Sequence, residues 1–300
     1  MKNSFPKLLC FCFFVLIFSA CNKQDLTSPA EKSASSQDAT AAVPRPGHIV
    51  IVILENHSYQ DIIGSSDAPY INSLAKNTYS ANFRNSFAIE HPSQPNYLDL
   101  YSGRNQGVTD DDRPSNIPFT TPNLGKQLIS AGFSYTTYSQ GLPSVGYNGD
   151  SYGAYVRKHN PAANWMGSGT NQIPATTNQP FTSFPTDYTK LPTVSIVVPD
   201  ENNDMHDGSI KQGDTWIKNN LDNYVQWAKT HNSLFILTFD EDDYSANNRI
   251  ATIFTGSMVK GGNYKTNINH YNVLRTIESM YGLSFIGNAS KVKTIGNCWR

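Results

Sequence analysis

Four short apolar runs separated by helix-like segments constrain the fold of this chain more than any other feature of its sequence. The runs are rich in Val and Ile and lack a strict apolar–polar alternation, which is typical of strands covered on both faces of a sheet. They occupy residues 48–54, 193–198, 234–239 and 250–255. Segments with helical patterns occupy residues 70–77, 94–101, 123–131, 213–229 and 271–281, and the third is followed by a further predicted strand, FSYTTYS. Strands that alternate with helices predict an α/β fold, a three-layer α/β/α sandwich with a mostly parallel central sheet.

The N-terminus has the organisation of a secretory signal. Lys2 and Lys7 precede an apolar run over residues 8–18. That run is about half the ~20 residues that a membrane-spanning helix needs, so we interpret residues 1–20 as a signal peptide. The sequence FSAC that follows the run resembles a bacterial lipobox, in which Cys21 becomes the lipidated first residue of the mature protein. Ordinary signal cleavage that leaves Cys21 as a free thiol is the alternative.

Residues 21–46 are predicted to form a flexible tether. They consist largely of Ser, Ala, Thr, Gln and Pro, and this composition cannot bury enough apolar surface to fold. Acyl chains on Cys21 would attach the tether to a membrane. We therefore expect a lipoprotein of the bacterial cell envelope, on the periplasmic or the surface face, with its folded domain over residues 47–300.

Charge and cysteine content argue against a nucleic-acid-binding protein and against a domain linked by disulfides. The chain has 23 Lys and Arg residues, and removal of Lys2 and Lys7 with the signal leaves 21 against 24 acidic residues, a net charge of −3. Such a chain has no basic field that would bind nucleic acid. Four cysteines are present, of which two leave with the signal and one is the lipidation site. Only Cys298 remains, so no internal disulfide is expected.

Acidic and amide side chains follow three of the predicted strands, in residues 55–57, 200–207 and 240–243. Ligands of open parallel sheets bind beyond the carboxyl ends of the strands, where carboxylates this close repel each other unless a cation lies between them. The oxygen donors are those of Glu55, Asn56, Asp240 and Glu241. Such donors favour a hard divalent cation, Mg²⁺, Ca²⁺ or Mn²⁺, over zinc. Each acidic cluster taken alone could equally be a solvated loop or a helix N-cap.

The segment 141–192 interrupts the alternation of strands and helices. It is rich in Gly, Pro, Asn, Ser and Tyr. A loop region of this length inside a domain is usually functional or disordered, and its aromatic residues argue against disorder. We interpret the segment as a loop-rich cap over the site.

Ser93 lies between Pro92 and Pro95, directly before a predicted helix. A serine at a helix N-cap would sit where unpaired backbone N–H groups and the positive end of the helix dipole face a bound anion. An ordinary capping role is the commonest reason for serine at this position. The local spacing does not separate the two interpretations.

Six motifs spread over residues 48–286 carry a family resemblance. They read IVILENHSYQDIIG, HPSQPNYLDLYSG, YVRKHNPA, IVVPDENNDMHDGS, LTFDEDD and NHYNVLRTIESMYGL. In this order they resemble the bacterial phosphoesterases that include acid phosphatases and phosphatidylcholine-type phospholipases C, within the alkaline-phosphatase-like superfamily. The resemblance implies an alkaline-phosphatase-like fold in which Ser93 is the nucleophile that takes the phosphoryl group and passes it to water.

The same resemblance implies a metal site. Its ligands would be Glu55, Asn56, Ser93, Asp240 and Glu241. The wider superfamily often has an Asp-His pair where this chain has Asp240 and Glu241. This departure implies an oxygen-rich site that holds a single metal, in agreement with the donor chemistry above.

Further residues match the phosphate pocket of the family. Asn96 matches an asparagine that binds a phosphate oxygen, and His91 is a second candidate for substrate binding. His159 and His206 match pocket histidines, one of which would act as the general acid for the leaving alcohol. A capping or packing role is the alternative for each histidine.

The resemblance implies less definite roles for four further polar residues. Asp204 and Asp207 flank His206 and could orient it or bind a second metal. His57 and His270 are better explained by capping or packing.

These observations together predict an envelope-tethered, metal-dependent phosphoesterase, specifically an acid phosphatase that hydrolyses phosphate monoesters through a phosphoserine at Ser93. If a histidine is the acid, activity should fall as pH rises through the imidazole pKa. A phospholipase C-type phosphodiesterase is one alternative, and a catalytically inactive lipoprotein that binds phosphorylated ligands is another.

Overall fold

The structure is a computed structural model, and it describes residues 43–300. The predicted signal peptide, the lipidated Cys21 and most of the predicted tether lie outside the described residues and stay predictions. Within residues 43–300, none of the helices combines the length and apolarity needed to span a membrane.

The described residues contain eleven strands and six α-helices. The strands are β1 His48–Leu54, β2 Ser80–Phe87, β3 Tyr135–Ser139, β4 Ser151–Tyr152, β5 Tyr155–Val156, β6 Asn178–Pro180, β7 Val194–Val198, β8 Ser233–Phe239, β9 Arg249–Thr255, β10 Gly262–Tyr264 and β11 Ile268–Asn269. The helices are α1 Tyr59–Ile62, α2 Pro69–Ala75, α3 Ser93–Ser102, α4 Leu124–Ser130, α5 Ile210–Ala228 and α6 His270–Tyr281.

One large sheet, in the strand order β10-β2-β9-β8-β1-β7-β3-β6 with β11 beside β2, organises the domain. β1 lies inside the sheet and pairs in parallel with β7 on one side and β8 on the other. β9 runs antiparallel to both β8 and β2. The predicted α/β fold with a mostly parallel sheet is confirmed, and the fourth predicted strand is the one that reverses direction.

Side chains that alternate along β1 separate two apolar cores. Ile49 and Ile51 pack into a core with α3, α4 and α6, whereas Val50 and Val52 pack into a core with α2 and α5. Each fully buried side chain of this size stabilises the fold by roughly 1.5–3 kcal/mol. Burial on both faces explains why this strand is a continuous apolar run instead of an alternating one.

Strand β2, SANFRNSF, is absent from the sequence-based prediction because its polar residues interrupt any apolar run. Two of its buried hydroxyls pair with hydroxyls of β9: Ser80 Oγ lies 2.8 Å from Thr255 Oγ1, and Ser86 Oγ lies 2.7 Å from Thr252 Oγ1. These cross-strand hydrogen bonds satisfy polar groups that would otherwise be costly to bury. An apolar run is therefore not required at this position.

The segment 141–192 folds into the hairpin β4–β5, several short 3₁₀ helices and strand β6, which extends the large sheet beside β3. Two of the 3₁₀ helices, Arg157–His159 and Pro161–Trp165, bury most of their side chains. They contact α3, the helix that begins at Ser93. The segment thereby brings His159 to the carboxyl ends of the central strands.

Candidate active site

The site forms where β1 and β8 end and α3 begins. Glu55 follows β1, and Asp240 and Glu241 follow β8. Ser93 Oγ lies 3.0 Å from Glu55 Oε2 and 3.2 Å from Glu241 Oε1, and its single proton can be donated to either carboxylate. Two segments that lie 38 and 148 residues from Ser93 in sequence thus meet at one hydroxyl.

The predicted N-cap position of Ser93 is wrong by one residue. Helix α3 begins at Ser93, and Pro92 occupies the N-cap position. The Ser93 hydroxyl makes no capping hydrogen bond and points to the carboxylates instead. Of the two interpretations that the sequence left open, ordinary capping does not describe this side chain.

The carboxylates of the site are buried and close together. Burial, and then the negative charges of Asp240 and Asp204, raise the pKa of Glu55 well above its usual range. Burial, and then Asp240, raise the pKa of Glu241 to about 9. Among residues 43–300, Asp240 Oδ2 is a buried oxygen without a hydrogen-bond partner. A divalent cation would satisfy this oxygen and offset the repulsion, so the residues present fit a metal ion.

Asn56 enters the site through its backbone. Its N–H donates to Asp240 Oδ1 at 3.0 Å and holds that carboxylate against the end of β1. The residue has a φ of +54°, in the left-handed region that asparagine tolerates better than most residues. Its predicted role as a side-chain metal ligand stays a prediction.

His159 lies on the other side of Glu55. Its Nδ1 is 3.0 Å from Asp204 Oδ2, and its Nε2 is 3.4 Å from Glu55 Oε1. Burial, and then the charge of Lys158, lower the pKa of His159 to about 3. Burial also raises the pKa of Asp204 to about 8. The buried imidazole is therefore a neutral group whose ring is oriented by the Asp204 carboxyl.

His206 completes a second group of ligand-type atoms. Ligand atoms of Glu55, His159 and His206 all lie within 4.8 Å of one another, a group that could hold a metal ion. His206 Nδ1 is 2.8 Å from Asp207 Oδ1, and its backbone N–H donates to Asp204 Oδ1 at 2.8 Å. The two imidazoles add nitrogen donors to the oxygen-rich set that the sequence predicts.

His91 and Asn96 both lie against Glu241. His91 Nδ1 is 2.8 Å from Glu241 Oε2, and its ring stacks on Tyr244 with centroids 3.9 Å apart. The side chain of Asn96 accepts from the backbone N–H groups of Ile89 and Glu90, at 3.0 and 3.1 Å. Its amide also donates to the Glu90 carbonyl at 2.7 Å and lies 3.4 Å from Glu241 Oε2. Asn96 therefore shapes the turn that precedes Ser93, and the predicted phosphate contacts of both residues stay predictions.

The two histidines that the sequence assigned to capping or packing both lie near the end of β8. His270 is buried, and its Nε2 lies 2.7 Å from the backbone carbonyl of Asp240, so it supports the end of β8. Burial lowers the pKa of His270 to about 4. His57 lies edge-on to Phe239 at 6.4 Å.

Sequence reasoning missed three residues that surround the nucleophile. The Tyr97 hydroxyl donates to Glu55 Oε1. Gln94 Nε2 donates to the carbonyls of Asp110 and Asp112 at 3.0 and 2.7 Å. The Lys158 ammonium lies 3.2 Å from Asp111 Oδ2. Tyr97 lies four residues beyond Ser93 on the same helix, a spacing that could have identified it.

Comparisons with known proteins find phosphatases among the relatives of this chain. The family model described as the Phosphoesterase family matches residues 65–284. A phosphatidylinositol-3-phosphatase of Mycobacterium tuberculosis is 46% identical over 263 residues, which cover 87% of this chain and 85% of that protein. An acid phosphatase of Aspergillus fumigatus is 29% identical over 307 residues, covering 96% of this chain and 67% of that protein.

A solved structure agrees with the fold. A protein in the alkaline phosphatase superfamily from Vibrio parahaemolyticus superposes with a TM-score of 0.57 and 12% identity. The match covers 85% of this chain and 72% of that chain. At this identity the likeness concerns the fold alone, and it confirms the predicted architecture.

Proposed function

The chain belongs to the phosphoesterase family and is a hydrolase of phosphoric ester bonds, and from this premise we propose that it is a metal-dependent phosphatase that hydrolyses phosphate monoesters through a phosphoserine at Ser93. The observation that carries the proposal is the position of the Ser93 hydroxyl between two buried carboxylates, 3.0 Å from Glu55 and 3.2 Å from Glu241. A serine that only capped the helix would have no reason to face them.

In the proposed reaction, Ser93 Oγ forms a bond to phosphorus while the bond from phosphorus to the leaving oxygen breaks. The proton of the serine passes to the carboxylate that accepts its hydrogen bond, Glu55 or Glu241. His206, which is partly exposed, would give a proton to the leaving alcohol. Water then attacks the phosphoserine and gives a proton to His206, while the bond from phosphorus to Ser93 Oγ breaks. Inorganic phosphate leaves, and the carboxyl group returns the proton to Ser93 Oγ.

Glu55, Asp240, Glu241 and Ser93 Oγ would hold the divalent cation in this proposal. A bound divalent cation lowers the pKa of a coordinated hydroxyl and stabilises negative charge on phosphate oxygens. Helix α3 begins at Ser93, so the positive end of its dipole lies beside the nucleophile. Asp240 Oδ2, which is buried and has no hydrogen-bond partner within the described part of the chain, and the raised pKa values of Glu55 and Glu241 support a cation here.

The names of two relatives support the substrate class that we propose. The 46% identical protein is named for a phosphatidylinositol 3-phosphate monoester, and the acid phosphatase match also acts on phosphate esters by its name. We propose a phosphate monoester whose leaving group is a polyhydroxy alcohol or the alcohol of a lipid. Parallel assays with bis-p-nitrophenyl phosphate and phosphatidylcholine test the phospholipase C alternative, and phosphate binding without turnover would indicate the inactive alternative.

A pair of serine variants on one helix tests the nucleophile. Ser93→Ala should lower kcat for p-nitrophenyl phosphate by at least about 10³-fold. Ser102→Ala is the matched control, because Ser102 is equally buried on α3 but bonds to the Leu98 carbonyl at 2.8 Å, away from the carboxylates. Rapid acid quenching with labelled substrate should trap phosphate on Ser93. Activity of Ser93→Ala equal to that of Ser102→Ala would contradict the proposal.

Metal removal tests the proposed dependence on a divalent cation. A strong chelator should abolish hydrolysis, and Mg²⁺, Ca²⁺ or Mn²⁺ should restore it in the native protein but only weakly in Asp240→Asn. Metal analysis of the purified protein gives the number and identity of the ions. Full activity in protein shown to contain no metal would refute the dependence while leaving the role of Ser93 standing.

A further inference from the structure

A small charged pocket is lined by Gln94, the residue that follows the proposed nucleophile. It has a volume of about 240 Å³, and its lining includes Gln94, Asp111, Asp112, Arg113, Asp150 and Lys158. Gln94 follows Ser93 in α3, and Lys158 precedes His159 in the neighbouring 3₁₀ helix. The pocket therefore joins the two segments that supply the proposed nucleophile and the buried histidine.

The Lys158 ammonium has spare hydrogen-bonding capacity in this pocket. Its side chain is only 19% exposed, and its Nζ lies 3.2 Å from Asp111 Oδ2. An ammonium carries three donors, and within residues 43–300 this is the one hydrogen bond that Nζ makes. A largely buried cation with two free donors is suited to an anionic oxygen.

Asp111 fixes the position of this ammonium. Its other oxygen, Oδ1, accepts from the backbone N–H of Gln94 at 2.9 Å. One carboxylate thus connects the first turn of α3 to Lys158. Because the connection passes through the residue next to Ser93, movement of Lys158 relative to the nucleophile is restrained.

We propose that Lys158 binds a non-bridging oxygen of the substrate phosphate and selects dianionic monoesters over monoanionic diesters. The inference rests on the proposed function. A monoester brings a second negative charge into a site already crowded with carboxylates, and one more fixed cation offsets that charge. A diester would place its second alcohol group where a monoester has a charged oxygen, and it would gain less from a buried ammonium.

Two variants of the same ion pair separate this role from a structural one. Lys158→Met should lower kcat/KM for p-nitrophenyl phosphate by about 10- to 100-fold, the range for loss of one charged hydrogen bond. The rate for bis-p-nitrophenyl phosphate should change by less than about threefold, so the monoester preference should fall. Asp111→Asn keeps the ammonium but loosens its anchor, so the monoester preference should fall less than in Lys158→Met. Lys158→Arg should restore part of the preference.

Lys190 provides the control for the Lys158 variants. Lys190→Met removes an exposed lysine that is paired with Asp187 at 3.4 Å, and it should leave both rates unchanged. Inhibition by inorganic phosphate should weaken in Lys158→Met and not in Lys190→Met. Equal losses of monoester and diester rates, or the same change in Lys158→Met and Asp111→Asn, would overturn the role of Lys158. Those results would leave the Ser93 mechanism intact, because that mechanism is tested by Ser93→Ala.

Discussion

The ring of Tyr97 stacks on the imidazole of His159, with centroids 5.3 Å apart and planes 11° from parallel. The hydroxyl of the same tyrosine donates to Glu55 Oε1. One side chain of α3 therefore holds both a carboxylate that follows β1 and a histidine of the segment 141–192. Because Ser93 begins the same helix, Tyr97 links the nucleophile to the groups around it.

Removal of the Tyr97 hydroxyl should weaken the site without disturbing the fold. Tyr97→Phe keeps the stacked ring but frees Glu55 Oε1, and we expect kcat/KM for the monoester to fall about 10- to 100-fold, as for other residues that orient metal or catalytic ligands. The thermal midpoint in the presence of chelator should change little.

Tyr101→Phe is the matched control for this prediction. Tyr101 lies one turn further along α3, and its buried hydroxyl has no hydrogen-bond partner within residues 43–300. Activity near that of the native protein is expected. Equal activities of the two variants would show that the contact with Glu55 does not matter.

Gln94 should stabilise the loop that carries Asp111. Its side-chain amide donates to the carbonyls of Asp110 and Asp112, so Gln94→Ala removes two hydrogen bonds to one short loop. Hydrogen exchange of residues 108–114 should accelerate, and KM for the monoester should rise more than kcat falls. Gln127→Ala removes a similar bond, from Nε2 to the Ser284 carbonyl, and should leave this exchange unchanged. Unaltered exchange in Gln94→Ala would exclude the role.

Glu278 should make stability depend on pH. Burial raises its pKa from 4.5 to about 8, and the side chain accepts from the Ile286 N–H at 3.0 Å. Between these values the folded protein holds a proton that the unfolded chain has released. This contribution to stability is therefore complete below pH 4.5 and is lost as pH rises towards 8.

Glu278→Gln keeps the acceptor and removes the ionisation. The native protein should lose about 1 to 3 kcal/mol more stability than Glu278→Gln between pH 6 and 8.5, measured by urea unfolding. Asp67→Asn neutralises an exposed carboxyl and should follow the native protein. Parallel curves for the native protein and Glu278→Gln would show that Glu278 keeps an ordinary pKa.

The predicted lipid anchor at Cys21 can be tested directly. Full-length protein expressed in bacteria with labelled fatty acid should incorporate the label, and Cys21→Ser should not. Cys298→Ala is the control, because Cys298 is the free cysteine among the described residues and is buried. Stable attachment needs more than one acyl chain, so the native protein should remain in the membrane fraction at high salt. Labelling of Cys21→Ser would refute the prediction.

Regular elements with an apolar signal were predicted closely. β1 occupies the predicted residues, and β7, β8 and β9 differ from the prediction by one residue at their first positions. Helix α5 begins at Ile210, three residues before the predicted start, because the Ser209 hydroxyl accepts from the Gln212 N–H at 3.2 Å. A capping serine followed by a polar first turn carries no apolar periodicity, so the pattern alone placed the start too late.

The sequence by itself determined the class of fold and which reactive side chains lie at the ends of its strands. Apolar strands with acids at their carboxyl ends predict where Glu55, Asp240 and Glu241 must converge, since parallel strands end at one edge of the sheet. The order of the motifs identified the family, and the resemblance to that family identified Ser93 as a candidate nucleophile.

Only the tertiary structure decided which polar group faces which. Ser93 meets Glu241 across 148 residues of sequence, Asn96 is directed to the turn before Ser93, and Lys158 is held by Asp111. The reason is physical: hydrogen bonds and ion pairs act over a few ångströms, and sheet register and helix packing determine which distant residues come that close.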